Sequence, residues 1–127
     1  MNYKIALAEI KNGRKVSHWI WYIFPQLKAL GRSHNAQYYG IENLDEAKEY
    51  LADETLRERL LEISQALSEL ESNDIEYIMG SSIDKVKLQS SMTLFHLAEP
   101  TCEIFNKVLE KYFGGKLDSK TVELCNV

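Results

Sequence analysis

The chain has 127 residues, 27% of them charged and 45% hydrophobic, with a formal net charge of −4 at pH 7. These are ordinary globular values, so global disorder is excluded and a single domain spanning residues 1–127 is expected. No apolar run nears the roughly 20 residues that span a bilayer. Met1-Asn2-Tyr3-Lys4 lacks the charged, apolar, small-residue order of a secretion signal, so a cytoplasmic protein with free Cys102 and Cys125 thiols is expected.

Tyr3, Leu7 and Ile10 recur at four and three residues and predict a helix over 2–11. Asn12-Gly13 ends it. Val16 to Phe24 is dense in aromatics, and Ser17 is placed to cap a short helix that Pro25 stops. A strand competes, because Trp19, Trp21 and Ile23 alternate, but no partner strand is in view. Residues 25–42 hold two glycines and many polar groups and read as an ordered loop with at most one turn. Asn43 with Glu46 forms a capping-box pattern that opens a helix over 44–51.

Asp53 caps the longest predicted helix, 54–71. Leu56, Leu60, Ile63, Leu67 and Leu70 form its inner stripe, and Glu54, Glu58, Glu62 and Glu69 its solvent face. Ser72-Asn73 breaks it, and Ile75 to Met79 is a short helix closed by Gly80. Ser82 is the expected cap of a helix running to Ala98, with Val86, Leu88, Met92 and Phe95 inward. Thr101 to Phe113 turns Phe105, Val108, Leu109 and Tyr112 inward and stops at Gly114-Gly115. Asp118 or Ser119 caps a last short helix. The expected architecture is all-α: one compact multihelical domain of seven or eight mostly short helices.

Charge is unevenly spread. Residues 1–40 carry Lys4, Lys11, Arg14, Lys15, Lys28 and Arg32 against Glu9 alone, a net of +5, and residues 41–127 net −9. A basic segment packed beside an acidic one explains this, and so does an anion site built on the N-terminal third. Nucleic acid is not an expected partner: the pI is about 5.4 and no periodic face is basic.

Several motifs occur in a distinctive order. Gly13-Arg14-Lys15 leads to Ser17-His18-Trp19-Ile20-Trp21, then Phe24-Pro25-Gln26, Leu30-Gly31-Arg32-Ser33 and Tyr39-Gly40-Ile41. Downstream come Glu46-Ala47, Tyr50-Leu51, Asp84, Lys87-Leu88, Ser90-Ser91-Met92-Thr93-Leu94-Phe95, and Phe105 with Val108-Leu109. In order and spacing the chain resembles the DUF1810 family of uncharacterised, mostly bacterial proteins. The resemblance covers nearly the whole chain and is weakest at its two ends. It implies a compact all-helical fold and no particular reaction.

Two patches carry the candidate chemistry. His18, Trp19, Trp21, Gln26, Arg32 and Ser33 crowd into one short stretch. Its tryptophans combine large apolar area with polar tips, and they fit either a core or a pocket wall. Lys87, Ser90 and Ser91 put a cation and two hydroxyls on one helical face. Close helix packing and hydroxyl bonds to the i−4 carbonyl are the structural explanations of those serines, and an anion clamp is the functional one.

No histidine or cysteine spacing suits a metal, no cofactor motif is present, and glycine-rich phosphate loops are missing. A Ser–His18–Asp84 relay lacks the nucleophile elbow such chemistry uses, so no catalytic residue is assigned. The expected function is a polar and aromatic pocket for an anionic small molecule of nucleotide or ADP-ribose type. His18, Trp19 and Trp21 would wall it. Arg32 and Lys87 would charge it. Gln26, Ser33, Ser90 and Ser91 would donate to the ligand. The alternative is a module that docks a protein partner through its basic, aromatic N-terminal third. Oligomeric state is left open.

Overall fold

Side-chain caps set most helix starts. In the computed structural model, which describes residues 3–126, six side chains accept from a backbone N–H three residues on. Ser33 caps α3 (His34–Tyr39), Asn43 caps α4 (Leu44–Ala52) and Asp53 caps α5 (Glu54–Ser68). Asp74 caps α6 (Ile75–Met79), Ser81 caps α7 (Ser82–Ala98) and Asp118 caps α9 (Ser119–Cys125). Each removes one orphan donor from a helix end. The remaining helices are α1 (Tyr3–Lys11), α2 (Ile20–Ile23) and α8 (Glu103–Phe113), with a 3₁₀ turn at Lys28–Leu30. Asn2, the first residue of the expected opening helix, lies outside the described residues.

The all-α expectation holds. The described residues form nine α-helices and no sheet; one isolated parallel bridge joins Leu27 to Ile41. The extra helix is α3, in the stretch expected to be loop. It buries only Ala36, so it has no amphipathic period to betray it; its signal was the Ser33 cap. Three capping details also differ. Ser81, not Ser82, caps α7. Glu46 Oε1 accepts from the Glu42 N–H at 3.2 Å, one residue before the position a capping box uses. Ser17 caps no helix: α2 begins at Ile20, and its N-cap residue, Trp19, makes no side-chain cap bond.

α7 is the central element. It packs against α2, α4, α6, α8 and α9, and Leu88 and every residue from Ser90 to Phe95 are buried. A helix surrounded this way cannot keep a polar face, and two of its hydroxyls bond to its own carbonyls instead. Ser90 Oγ donates to the Val86 carbonyl at 3.2 Å and Thr93 Oγ1 to the Gln89 carbonyl at 2.8 Å. Thr93 Oγ1 also accepts from the Asp118 N–H at 2.9 Å, which pins the start of α9 to α7. Val86, expected inward, is 51% exposed: it lies in the first turns of α7, before the helix becomes enclosed.

α5 and α8 complete the core. Leu60, Ile63 and Leu67 are buried as their spacing required, and so are Phe105, Val108, Leu109 and Tyr112. Leu56 is exposed because it lies in the first turn of α5. Tyr112 donates to the Leu67 carbonyl at 2.6 Å, satisfying its hydroxyl inside the core. Arg57 forms a two-pronged pair with Glu99, at 2.8 and 2.6 Å, tying α5 to the end of α7.

Candidate functional site

The segment between α1 and α3 is held by one acid. Glu9 Oε1 accepts from the Val16 and Ser17 N–H groups at 2.8 and 2.9 Å and from Trp19 Nε1 at 2.9 Å. Its Oε2 accepts from Ser17 Oγ at 2.6 Å. Burial pushes the Glu9 pKa up, but the donors of Ser17, Val16 and Trp19 outweigh it and bring the value to about 2. Trp19 is thereby fixed inward, 2% exposed, against Phe24.

Next along the chain, a parallel bridge sets the wall. Ile41 N–H donates to the Gln26 carbonyl and Lys28 N–H to the Ile41 carbonyl, both at 2.8 Å. Gly31 follows the 3₁₀ turn and has no room for a side chain. A Cβ there would lie 2.7 Å from Trp21 Cζ2 and 2.8 Å from the Ala36 Cβ. The Trp21 ring packs in the space that Gly31 leaves.

These constraints turn the Trp21–Ser33 segment toward the first half of α7, and a cavity of about 700 Å³ lies between them. Trp21, Gln26, Arg32, Ser33, Lys87 and Ser90 line it. Six of the nine residues singled out from sequence therefore meet at one cavity, although Trp21 and Ser90 stand far apart in the chain. The volume lies within the usual range for small-molecule sites.

The other three are elsewhere. Trp19 is a core residue committed to Glu9 and lines no part of the cavity. Ser91 is fully buried, and its Oγ has no hydrogen-bond partner; it lies about 100° round α7 from Ser90, on the core side of the helix. His18 is exposed and lines two smaller neighbouring depressions, of about 470 and 190 Å³. The smaller shares Trp21, Ser33 and Lys87 with the main cavity.

Two of the six have local duties as well. Ser33 Oγ accepts from the Ala36 N–H at 3.1 Å as the cap of α3. Ser90 Oγ donates to Val86, which is the i−4 bond that a helical serine favours. Gln26 has no such duty: it is 2% exposed and its Nε2 has no hydrogen-bond partner.

Sequence reasoning missed the wall that α9 provides. Lys120 and Asp118 line the cavity, as do Ser82 and Ile83 from the first turn of α7. Lys120 adds a third cation to Arg32 and Lys87. Asp118 is the lone acid of the lining, and its Oδ2 is already occupied by the Thr121 N–H and hydroxyl at 3.0 and 2.6 Å. Nothing local in the sequence marks Lys120, which reaches the site only because Thr93 anchors Asp118.

Asp84 serves a different purpose from the relay considered above. Its carboxylate pairs with Lys15 at 2.8 Å and more loosely with Lys87 at 3.8 Å. Lys15 is buried and also lies over the Trp19 ring, 5.1 Å from its centroid. Asp84 is thus committed to lysines. Among the described residues no group of three or more histidines, cysteines or acids is placed to hold a metal ion. No helix among them is long and apolar enough to cross a membrane.

A family model described as a protein of unknown function, DUF1810, matches residues 1–125. Among solved structures, the crystal structure of the conserved hypothetical protein Rv1873 from Mycobacterium tuberculosis superimposes with a TM-score of 0.93 at 42% identity. The match covers 98% of this chain and 89% of that one. No curated protein matches the chain.

Proposed function

The chain belongs to the DUF1810 family of proteins of unknown function, and from that premise we propose that it binds an anionic small molecule of nucleotide or ADP-ribose type. The ligand occupies the cavity between the Trp21–Ser33 segment and α7. The observation that carries this reading is convergence. Arg32, Lys87 and Lys120 come from three separate segments to one cavity whose only acid, Asp118, is engaged as a helix cap. Among the described residues Arg32 and Lys120 form no ion pair and Lys87 has only the loose Asp84 contact at 3.8 Å, so the three cations repel one another around the hollow and an anion relieves them. The first turn of α7 adds favourable backbone dipoles at Ser82 and Ile83.

The proposal is of binding. His18 stands outside the cavity and Asp84 is paired with lysines, so no base is assigned beside a nucleophile. The compartment we propose is the cytoplasm, where Cys102 and Cys125 would stay reduced. The partner-docking alternative has less behind it: Trp19, Trp21 and Phe24 are each 5% exposed or less, which leaves Tyr38 and Tyr39 of α3 as the exposed aromatics of the N-terminal third.

Thermal-shift measurements with ADP-ribose and adenosine monophosphate test the reading, since a ligand that binds only the native state raises its melting temperature by mass action. The Arg32→Ala/Lys87→Ala double variant should lose that rise. Its own melting temperature should barely move, because both substitutions are at exposed or half-exposed positions, the one ion pair lost, Lys87 with Asp84, is loose at 3.8 Å, and repulsion between cations is removed with it. No rise with either compound at millimolar concentration, or an unchanged rise in the double variant, refutes the proposal.

A further inference from the structure

Gln26 Nε2 is the buried polar side-chain atom of the cavity wall that has no hydrogen-bond partner in the folded protein. The Gln26 backbone is fixed on both sides: the buried Pro25 precedes it, its carbonyl accepts from Ile41, and the Leu27–Ile41 bridge follows. The residue itself is 2% exposed. A buried donor without an acceptor costs stability. A leucine or methionine there would fill similar space and avoid the cost.

The surroundings say what such a carboxamide could pair with. Trp21, Leu30, Ile83 and Val86 supply apolar surface in the same cavity, suited to the faces of a planar ring. A glutamine carboxamide carries a donor and an acceptor side by side. Its complement is a ring edge with an acceptor next to a donor, and the N7 and N6 amino group of adenine form that pair. On that edge hypoxanthine presents acceptors at both positions and can satisfy only one end.

We propose that Gln26 is the base-reading residue of this cavity and that the ligand is an adenine nucleotide, its phosphate held by the Arg32, Lys87 and Lys120 cations. This rests on the anion-binding reading above and adds the identity of the base. The carboxamide, whose Nε2 is buried in the free protein, turns toward the cavity to meet the ring edge, and the stability it forgoes is recovered on binding.

Isothermal titration with adenosine monophosphate, inosine monophosphate and ribose 5-phosphate tests this. Wild type should bind the adenosine compound about tenfold or more tightly than the other two, the discrimination that one bidentate contact supplies. Gln26→Leu should lose that preference while its melting temperature stays level or rises; Gln26→Met should behave likewise, should the leucine variant fold poorly. Equal binding of all three by wild type overturns base reading and leaves the anion site standing. Binding of none removes both proposals. A Gln26→Leu protein that melts lower and keeps full preference for the adenosine compound shows a structural glutamine and overturns the inference.

Discussion

Trp19 Nε1 donates to Glu9 Oε1 at 2.9 Å, and this bond makes the single acid of the first forty residues the anchor of the segment that builds the cavity wall. Two backbone amides and a serine hydroxyl share the same carboxylate. The basic N-terminal third is therefore organised around its one negative charge, with the cations left to face other partners. Lys15 turns to Asp84 and Lys28 to Glu42, and Arg14 lies over the Tyr77 ring.

That anchor should be visible in acid. The folded-state pKa of Glu9 is lowered from 4.5 to about 2, so its stabilising contribution is complete above the ordinary value and is lost as pH falls through the lowered one. Glu9→Gln should destabilise the protein by about 1–3 kcal/mol at pH 7, because a neutral amide cannot accept from all four donors. The gap between wild type and variant should narrow as pH falls from 5 toward 2. Denaturant titrations of both at several pH values measure it, and a gap that stays constant would show that Glu9 is not the anchor.

Gly31 should be intolerant of even one methyl group. The Cβ of Gly31→Ala would press on Trp21 and Ala36 together, at 2.7 and 2.8 Å, and overpacking of this kind costs about 1–3 kcal/mol. The Trp21 ring should shift, altering the cavity as well as the fold. Tryptophan fluorescence combined with thermal melting would detect both changes. A variant with wild-type stability and an unshifted emission spectrum would mean the wall is softer than the packing implies.

Both cysteines are free thiols, and burial pushes the pKa of each upward. The thiolate is the reactive form, so both should react slowly with a thiol reagent in the native state. After unfolding without reductant the reagent should count two thiols. A count of zero would reveal a bridge between Cys102 and Cys125.

Much of this fold was open to local reading. The Leu60, Ile63 and Leu67 stripe, the Asn43, Asp53 and Asp118 caps and the Gly80 and Gly114 stops depend on residues within a turn or two of each other. Periodicity and capping are short-range physics, and a sequence displays short-range relations directly. Trp21, Gln26, Arg32, Ser33, Lys87 and Ser90 were visible as well, as members of two patches unusually rich in aromatic or polar residues.

What tertiary structure alone decided was the direction each of those residues faces and who joins them. Trp19 and Trp21 are two residues apart in one aromatic run. Glu9 draws the first into the core, and the gap at Gly31 seats the second on the cavity wall. Ser90 and Ser91 are neighbours divided by the turn of α7. Lys120 enters because a hydroxyl on α7 captures the start of α9, and α3 forms on a cap without an apolar stripe. The α3 cap and the divergence of the two serines are local, but the placing of Trp19, Trp21 and Lys120 depends on contacts between separate segments, whose energy is set by packing the core and is written in neither segment alone.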